Sequence, residues 1–426
     1  MTLQEPGLKP AQPLVLGLFR KPDIDSPAGR WLVLAAAFLG WMFDGLEMGI
    51  FPQIAKASLT QLVANADQGD ISRWHAIIDA AFLFGAAVGG LLFGWLGDRI
   101  GRVKAMAFAI LVYSGFTGLL FFVNAAWQIA LLRFIAALGM GGEWALGVAL
   151  VMEVWHAKHR PLLAGLIGAA ANVGFVLVGL MGALIKVDQT NWKWFAVLGA
   201  APALLTFVIR LFVPESHKWQ ASQEIARSKP LTEIFADKRL TITALVAIGL
   251  ASVALLGTWG AVQKIPAWTG YLPGRTETAT GNAQMASGVG AIVGCLIAPL
   301  IAAALNRRIA YVILCVGSLI TCQILFRFKE YNTSFLAMTF LVGGVTAALY
   351  GWLPLYLPEL FPTRVRATAQ GVAFNFGRIF AATGNIVVGN FNIDYAIMGQ
   401  IVSLIYILGL VLIWFAPETK GKALPE

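Results

Sequence analysis

An all-α membrane protein, with twelve transmembrane helices in two pseudo-symmetric six-helix bundles, is the fold class this sequence predicts, on three observations. First, 58% of the 426 residues are hydrophobic and only 12% are charged, against roughly 25% charged in soluble domains. With a mean hydropathy of +0.74, the chain cannot cover itself with polar surface. Second, the apolar residues arrive in blocks of about 20, the length that spans a hydrocarbon core about 30 Å thick. Lipid admits only helices or closed barrels, and these blocks are apolar on every face rather than alternating, so helices are expected. Third, landmarks recur between the halves. Glu153, Arg160 and Gly165 return as Glu359, Arg366 and Gly371, and Pro214-Glu215-Ser216 returns as Pro417-Glu418-Thr419.

In chain order, residues 1–30 read as a proline-rich tail with no apolar core leading to a cleavage site, so no removable leader is expected. A first bundle, 31–213, holds spans at about 31–53, 73–97, 105–123, 127–153, 161–186 and 193–213. The polar stretch 214–239 alternates charge signs and predicts one or two amphipathic helices at the membrane surface. The second bundle, 240–416, holds spans at about 240–264, 282–304, 309–326, 333–357, 367–389 and 394–416, and a tail of 417–426 follows. With both termini inside, the inner segments carry 20 Lys and Arg and the outer ones 8. This bias places both ends in the cytoplasm of a multi-pass inner-membrane protein. It also accounts for the net charge of +9, so no nucleic-acid partner is expected. Cys295, Cys315 and Cys322 lie in apolar blocks without metal-ligand spacing and read as small hydrophobes.

The loop after the second span reads Gly94-Trp-Leu-Gly-Asp98-Arg99-Ile-Gly101-Arg102-Val-Lys104. Glycine at 94 and 101 permits close helix packing and a sharp turn. Asp98 can then sit by a helix N-terminus and an arginine, a lock that opens when two halves rock. This loop resembles the signature G-xxx-D-R-x-G-R-[RK] of the major facilitator superfamily, departing from it at Val103. The equivalent second-half loop, around Asn306, Arg307 and Arg308, lacks the acid and the glycines, which implies a one-sided lock. Further resemblance lies in Arg133-FIAALGMGGE-Trp144, in ELFPTRVRATAQG from Glu359 to Gly371, in PES at 214 and in PETKG at 417. GGEW after Arg133 and FDGLE in the first span are similar to the carboxylate and sialate:proton symporters, beside the sugar porters. The resemblance implies secondary transport by alternating access. It places Gly94, Asp98, Arg99, Gly101, Arg102, Glu153, Arg160, Glu359 and Arg366 at a cytoplasmic gate.

Intramembrane charges are the sharpest pointer to a site, because an ion at the bilayer centre costs about 2.5–3.5 kcal/mol even on an insertion scale. Asp44 and Glu47 lie one turn apart on the first span. Arg133 on the fourth lies at a depth where it can face Asp44. An ion pair there holds the carboxylate charged, and its loss favours the protonated form, which is a proton switch; the alternative is a static salt bridge. By resemblance, the first and fourth spans line the cavity, and Asp44 and Arg133 hold the proton-coupling positions, with Glu47 as a further candidate proton carrier beside Asp44. Glu143 is either a second proton carrier or part of an inner network with Arg102 or Arg160. Arg378, three residues after Asn375, suits a carboxylate, which a guanidinium clamps with two hydrogen bonds; the alternative partner is Glu359. Asn172, Gln263 with Lys264, Gln284, Tyr350 and Trp352 can complete a polar pocket, although tyrosine and tryptophan also anchor membrane boundaries. His75 and Asp79 read as a local polar pair near the outer surface.

No GxxxxGK[ST] loop, HExxH or clustered Cys/His set is present, so neither an enzyme nor a bound cofactor is expected. The fifth span lacks the Gly-Pro pair of drug:proton antiporters, which demotes an exporter. The expected activity is proton-coupled symport of a small organic anion by a monomer whose partners are solute, protons and lipid. A sugar or polyol carrier is the alternative. A non-transporting sensor is a minor one, given a tail of ten residues after residue 416.

Overall fold

The computed structural model describes residues 14–15, 19–20, 22–63, 68–185, 187–197, 212–215, 217, 219, 230–276, 278–391 and 394–425. Its long helices are α1 (Pro27–Leu62), α2 (Gln68–Ile100), α3 (Arg102–Gly118), α4 (Ala126–Val154), α5 (Arg160–Leu184), α6 (Lys238–Gly260), α7 (Ala279–Ala304), α8 (Arg307–Leu325), α9 (Thr333–Leu360) and α10 (Arg366–Phe391). The last span divides into α11 (Tyr395–Ser403) and α12 (Ile405–Leu412). Ten stretches among the described residues are long and apolar enough to cross a membrane, and α10 adds a long helix made more polar by residues such as Asn375 and Arg378. Most of the sixth expected span, 193–213, and nearly half of the linker 214–239 lie outside the described residues; within the linker, Pro230–Ala236 is helical. Leu14–Val15 and Phe19–Arg20 form a two-residue antiparallel ladder that hydropathy did not anticipate.

Several helices run longer than their apolar blocks. α1 begins at Pro27 because Ser26 caps it, its hydroxyl accepting the Gly29 N–H at 3.0 Å. α2 begins at Gln68, before the expected 73, and carries its polar first turn beyond the apolar part. Side-chain caps start α6 (Asp237), α8 (Asn306), α9 (Asn332) and α11 (Asp394), each satisfying N–H groups that the helix itself cannot.

In α8 one face presents Ile309, Ile313, Val316, Ile320 and Ile324, which are exposed, while Ala310, Tyr311, Leu314, Cys315, Ser318 and Cys322 are buried. That division is what lipid on one side and protein on the other require, since lipid tolerates large apolar groups and packing favours small ones. Within the first bundle α4 packs on α2 and α3, and α1 packs on α5. In the second, α7 packs on α9, α10 on α6, and α8 on α9. The pairs α2 with α10 and α5 with α7 make the most extensive contacts between the bundles, and α5 with α9 and α4 with α10 add to them.

The sharp turn between α2 and α3 depends on Gly101, whose φ of 112° is a conformation nearly confined to glycine. An added Cβ would also lie 2.3 Å from Glu215 Oε2. Gly101→Ala is therefore expected to cost at least about 1–3 kcal/mol, read as a lower thermal midpoint in detergent. An unchanged midpoint would mean that the turn relaxes freely.

Candidate functional site

One end of the molecule, called the gate face after the residues expected there, carries the α2–α3 and α9–α10 connections. Asp98 is completely buried there, pairing through Oδ1 with Arg102 Nη1 at 3.0 Å. Its Oδ2 accepts the Thr368 backbone N–H (2.8 Å) and hydroxyl (2.5 Å) in the first turn of α10, across the bundle interface. A carboxylate is stabilised at a helix N-terminus by these N–H groups and by the helix dipole. Gly94 makes the approach possible, since a Cβ there would meet Ala367 O at 3.0 Å. Arg102 also donates to Gly97 O (3.1 Å) and to Thr363 O (2.9 Å) of the other bundle. Glu153 lies between two buried guanidinium groups, Arg102 at 3.4 Å and Arg366 at 3.1 Å. Asp98, Arg102, Glu153 and Arg366 therefore tie the two bundles together at this end with buried charge.

The repeated PES and PET segments have one function each in this geometry. Glu215 accepts the N–H groups of Arg102 (3.0 Å) and Val103 (3.1 Å) at the start of α3. Glu418 does the same for Arg307 (3.2 Å) and Arg308 (3.3 Å) at the start of α8. Burial pushes the Glu418 carboxyl up, but bonds from the Lys420, Arg307, Arg308 and Thr419 N–H groups outweigh it and hold it below the usual range. Arg307 reaches Ala302 O (2.8 Å) as Arg102 reaches Gly97 O, then turns to Glu359 in a two-point pair at 2.8 and 3.0 Å. That pair stays within one bundle. Glu359 is thus engaged by Arg307, not by Arg378, and Arg160 lies within its electrostatic reach. Arg99, expected in the network, is instead on the exposed end of α2, its guanidinium 5.0 Å from the Trp95 ring.

Deeper in, Asp44, Glu47, Arg133, Glu143 and Arg378 are all buried. Arg133 does not take Asp44 as its ion-pair partner: Nη1 pairs with Glu47 Oε1 at 3.0 Å, and Thr117 donates to the same oxygen at 3.3 Å. Glu47, one turn further along α1, is the residue placed to meet a side chain from α4. Phe51 and Phe82 flank the guanidinium at 4.9 and 4.7 Å. Asp44 instead acts electrostatically on Arg378, as does Tyr350. Asn375 accepts from Arg378 Nη1 at 2.6 Å, so it serves the arginine rather than lining a pocket. Glu143 is buried on α4 beside Trp144, while Arg102 is committed to Asp98, Glu153, Gly97 and Thr363.

A half-open hollow lies between α5, α6, α7 and α9. Asn172, Gln263, Gln284 and Tyr350 line it, as four of the expected pocket residues. Trp352 does not: it is buried between Tyr311 and Tyr356, donating from Nε1 to Arg307 O at 3.1 Å. Thr258, Ser287 and Thr346 also face the hollow, and sequence reasoning missed them. The missed signal was helical spacing, since Ser287 follows Gln284 by three residues and Thr346 precedes Tyr350 by four. On the far side from the gate face, Gln53 Nε2 donates to Gln284 Oε1 at 3.2 Å. Lys264 meets Asp79 at 3.7 Å, and His75 stands 3.5 Å from the same carboxylate. The His75–Asp79 pair is thus one side of a contact between bundles, and Lys264 is its other side rather than a pocket residue.

Comparison with known proteins identifies the family and the fold. The chain is 28% identical over 401 residues to a probable 4-methylmuconolactone transporter of Cupriavidus pinatubonensis, covering 91% of each chain. It is 26% identical to the cis,cis-muconate transport protein of Acinetobacter baylyi, over 90% of this chain and 94% of that one. The solved structure of the proton:xylose symporter XylE has the same fold, with a TM-score of 0.77 at 18% identity, over 93% of this chain and 98% of that one. Residues 31–385 match the Major Facilitator Superfamily. The chain is therefore a multi-pass membrane transporter, not an enzyme, and belongs to the Major Facilitator Superfamily.

Proposed function

We propose that the protein is a proton-coupled symporter of a small organic anion, working as a monomer in the inner membrane with its gate face and both termini in the cytoplasm. Residues 31–213 and 240–416 rock against each other about the buried charges, with 214–239 as the linker and 1–30 and 417–426 as tails.

The observation that carries this reading is Arg378, a buried guanidinium with Tyr350 and Asp44 within electrostatic reach. A lone buried cation is costly, and Asp44 offsets it. When Asp44 takes a proton, Arg378 is left with uncompensated charge, and an entering carboxylate restores neutrality. Proton and anion are then favoured together, which is the thermodynamic content of symport. Tyr350 connects this centre to the hollow, because it lines the hollow and lies close to Arg378. Glu47 and Arg133 form a second charged pair toward the far side, and Glu143 a further acid near the gate. Muconate, the cargo named for the Acinetobacter relative, has the carboxylate chemistry that Arg378 suits.

A neutral cargo has one observation in its favour: the hollow is lined by amides and hydroxyls, a surface suited to a sugar or polyol. A thermal-shift screen of purified protein against organic acids and sugars separates the two, because a ligand of the folded form raises its apparent stability. An acid is expected to give the largest shift. Arg378→Gln should weaken its binding about tenfold to a hundredfold, the size of a lost charge-assisted hydrogen bond. A sugar shift that survives Arg378→Gln would reject the anion.

A further inference from the structure

We infer that Asn375 is a positioning residue, tying the orientation of Arg378 to closure of the gate face. Its meaning for cargo rests on the anion-anchoring reading of Arg378, while its geometry does not.

Asn375 is 1% exposed and uses its whole carboxamide. Oδ1 accepts from Arg378 Nη1 at 2.6 Å, one turn further along α10. Nδ2 donates to Gly371 O at 3.0 Å in the same helix and to Gly141 O at 2.7 Å on α4 of the opposite bundle. Arginine offers only donors and carbonyls only acceptors, so one orientation of the amide satisfies all three contacts. The group is also wedged in place: a Cβ on Gly90 of α2 would lie 2.2 Å from Nδ2, so the absence of a side chain there provides its space. Next to it, Phe374 stacks on Trp144 of α4 at 3.8 Å and 15°, and Arg378 lies 5.4 Å from the Phe374 ring. Arg378 is therefore held through two neighbours that both lean on the opposing bundle.

When the bundles part at the gate face, α4 withdraws Gly141 O and Trp144 together. The Asn375 carboxamide then loses the contact that fixes its rotation, and Arg378 loses a fixed acceptor. Coupling of this kind is reciprocal: closure orders Arg378, and an ordered Arg378 favours closure. The anion site is consequently tightest with the gate face shut and loosens as that face opens, which releases cargo there.

The test needs no cargo. Nitroxide labels on Lys104→Cys and Lys420→Cys, exposed positions on the gate face of each bundle, report its opening by pulsed-EPR distance, with Cys295, Cys315 and Cys322 replaced by alanine. Asn375→Leu should raise the ratio of open to closed populations about fivefold, the scale of one lost hydrogen bond, and Arg378→Met should raise it in the same direction. The double variant should open no further than the larger single effect. A double variant equal to the product of the two single fold-changes would overturn the inference, as would an unchanged distribution in Asn375→Leu. Should the leucine variant fail to fold, Asn375→Asp keeps the acceptor for Arg378 but has no N–H for Gly141. It should open the gate face, and a closed one would overturn the inference. Failure of anion anchoring would appear instead in the ligand screen and leave this result unaffected.

Discussion

Glu153→Ala is expected to lower stability by about 3–5 kcal/mol, the usual result of removing one member of a buried ion-pair network. Its carboxylate lies between Arg102 and Arg366, one from each bundle, and all three side chains have 0% exposure. Without it two guanidinium groups remain buried, with Asp98 as the nearest acid for Arg102. The same substitution removes a contact across the gate face, so the open population should rise with the loss of stability. Thermal unfolding in detergent measures the first effect. Arg364→Ala provides the contrast, since the pair it breaks with Glu233 is partly exposed and such pairs contribute about 0–1 kcal/mol. Equal midpoints for the two variants would show that the Glu153 network does not carry the closed state.

Asp44→Asn is the second large effect. An asparagine cannot take up and release a proton, and it leaves Arg378 permanently without the countercharge that acts on it. Uphill uptake driven by a pH gradient should therefore be abolished, while exchange of internal for external anion continues in part, because exchange needs no net proton movement. Glu47→Gln is expected to act differently, because its partner is Arg133. That variant breaks a buried pair and should cost stability. Proton-driven accumulation that persists in Asp44→Asn would remove Asp44 from the coupling step.

Much of the fold was legible because lipid imposes a simple rule on sequence: long apolar blocks, charges in the loops and a repeat between halves. The gate face was nearly as legible. Gly94, Asp98, Gly101 and Arg102 sit within one short segment, where local geometry fixes their relations, whereas the PES and PET echo was read only as a repeat and its two helix-capping glutamates went unforeseen. The centre was less so. Which of Asp44 and Glu47 meets Arg133 depends on the rotation of α1 against α4, and a difference of three residues on a helix changes the partner. Trp352 failed as a pocket residue for a related reason: its neighbour Tyr350, two positions earlier, points to a different face of α9. Asn375 was legible as lying one turn from Arg378 on the same helix, but that its carboxamide also bonds to the opposite bundle follows only from the approach of α4. Thr258, Ser287 and Thr346 gave little signal, because hydroxyls in membrane helices commonly bond to their own backbone, as Thr346 also does to Val342 O at 2.7 Å.

The central claim is that proton and anion neutralise the Asp44–Arg378 centre together. Its most direct test is to measure proton and anion movement at once in proteoliposomes, using the acid that most stabilises the protein in the thermal screen and a pH dye outside the vesicles. The claim predicts that adding the neutralised salt of this acid makes the external medium more alkaline as anion and proton enter together, and that the signal is absent in Asp44→Asn. Anion uptake with no accompanying proton uptake in the unaltered protein would contradict it.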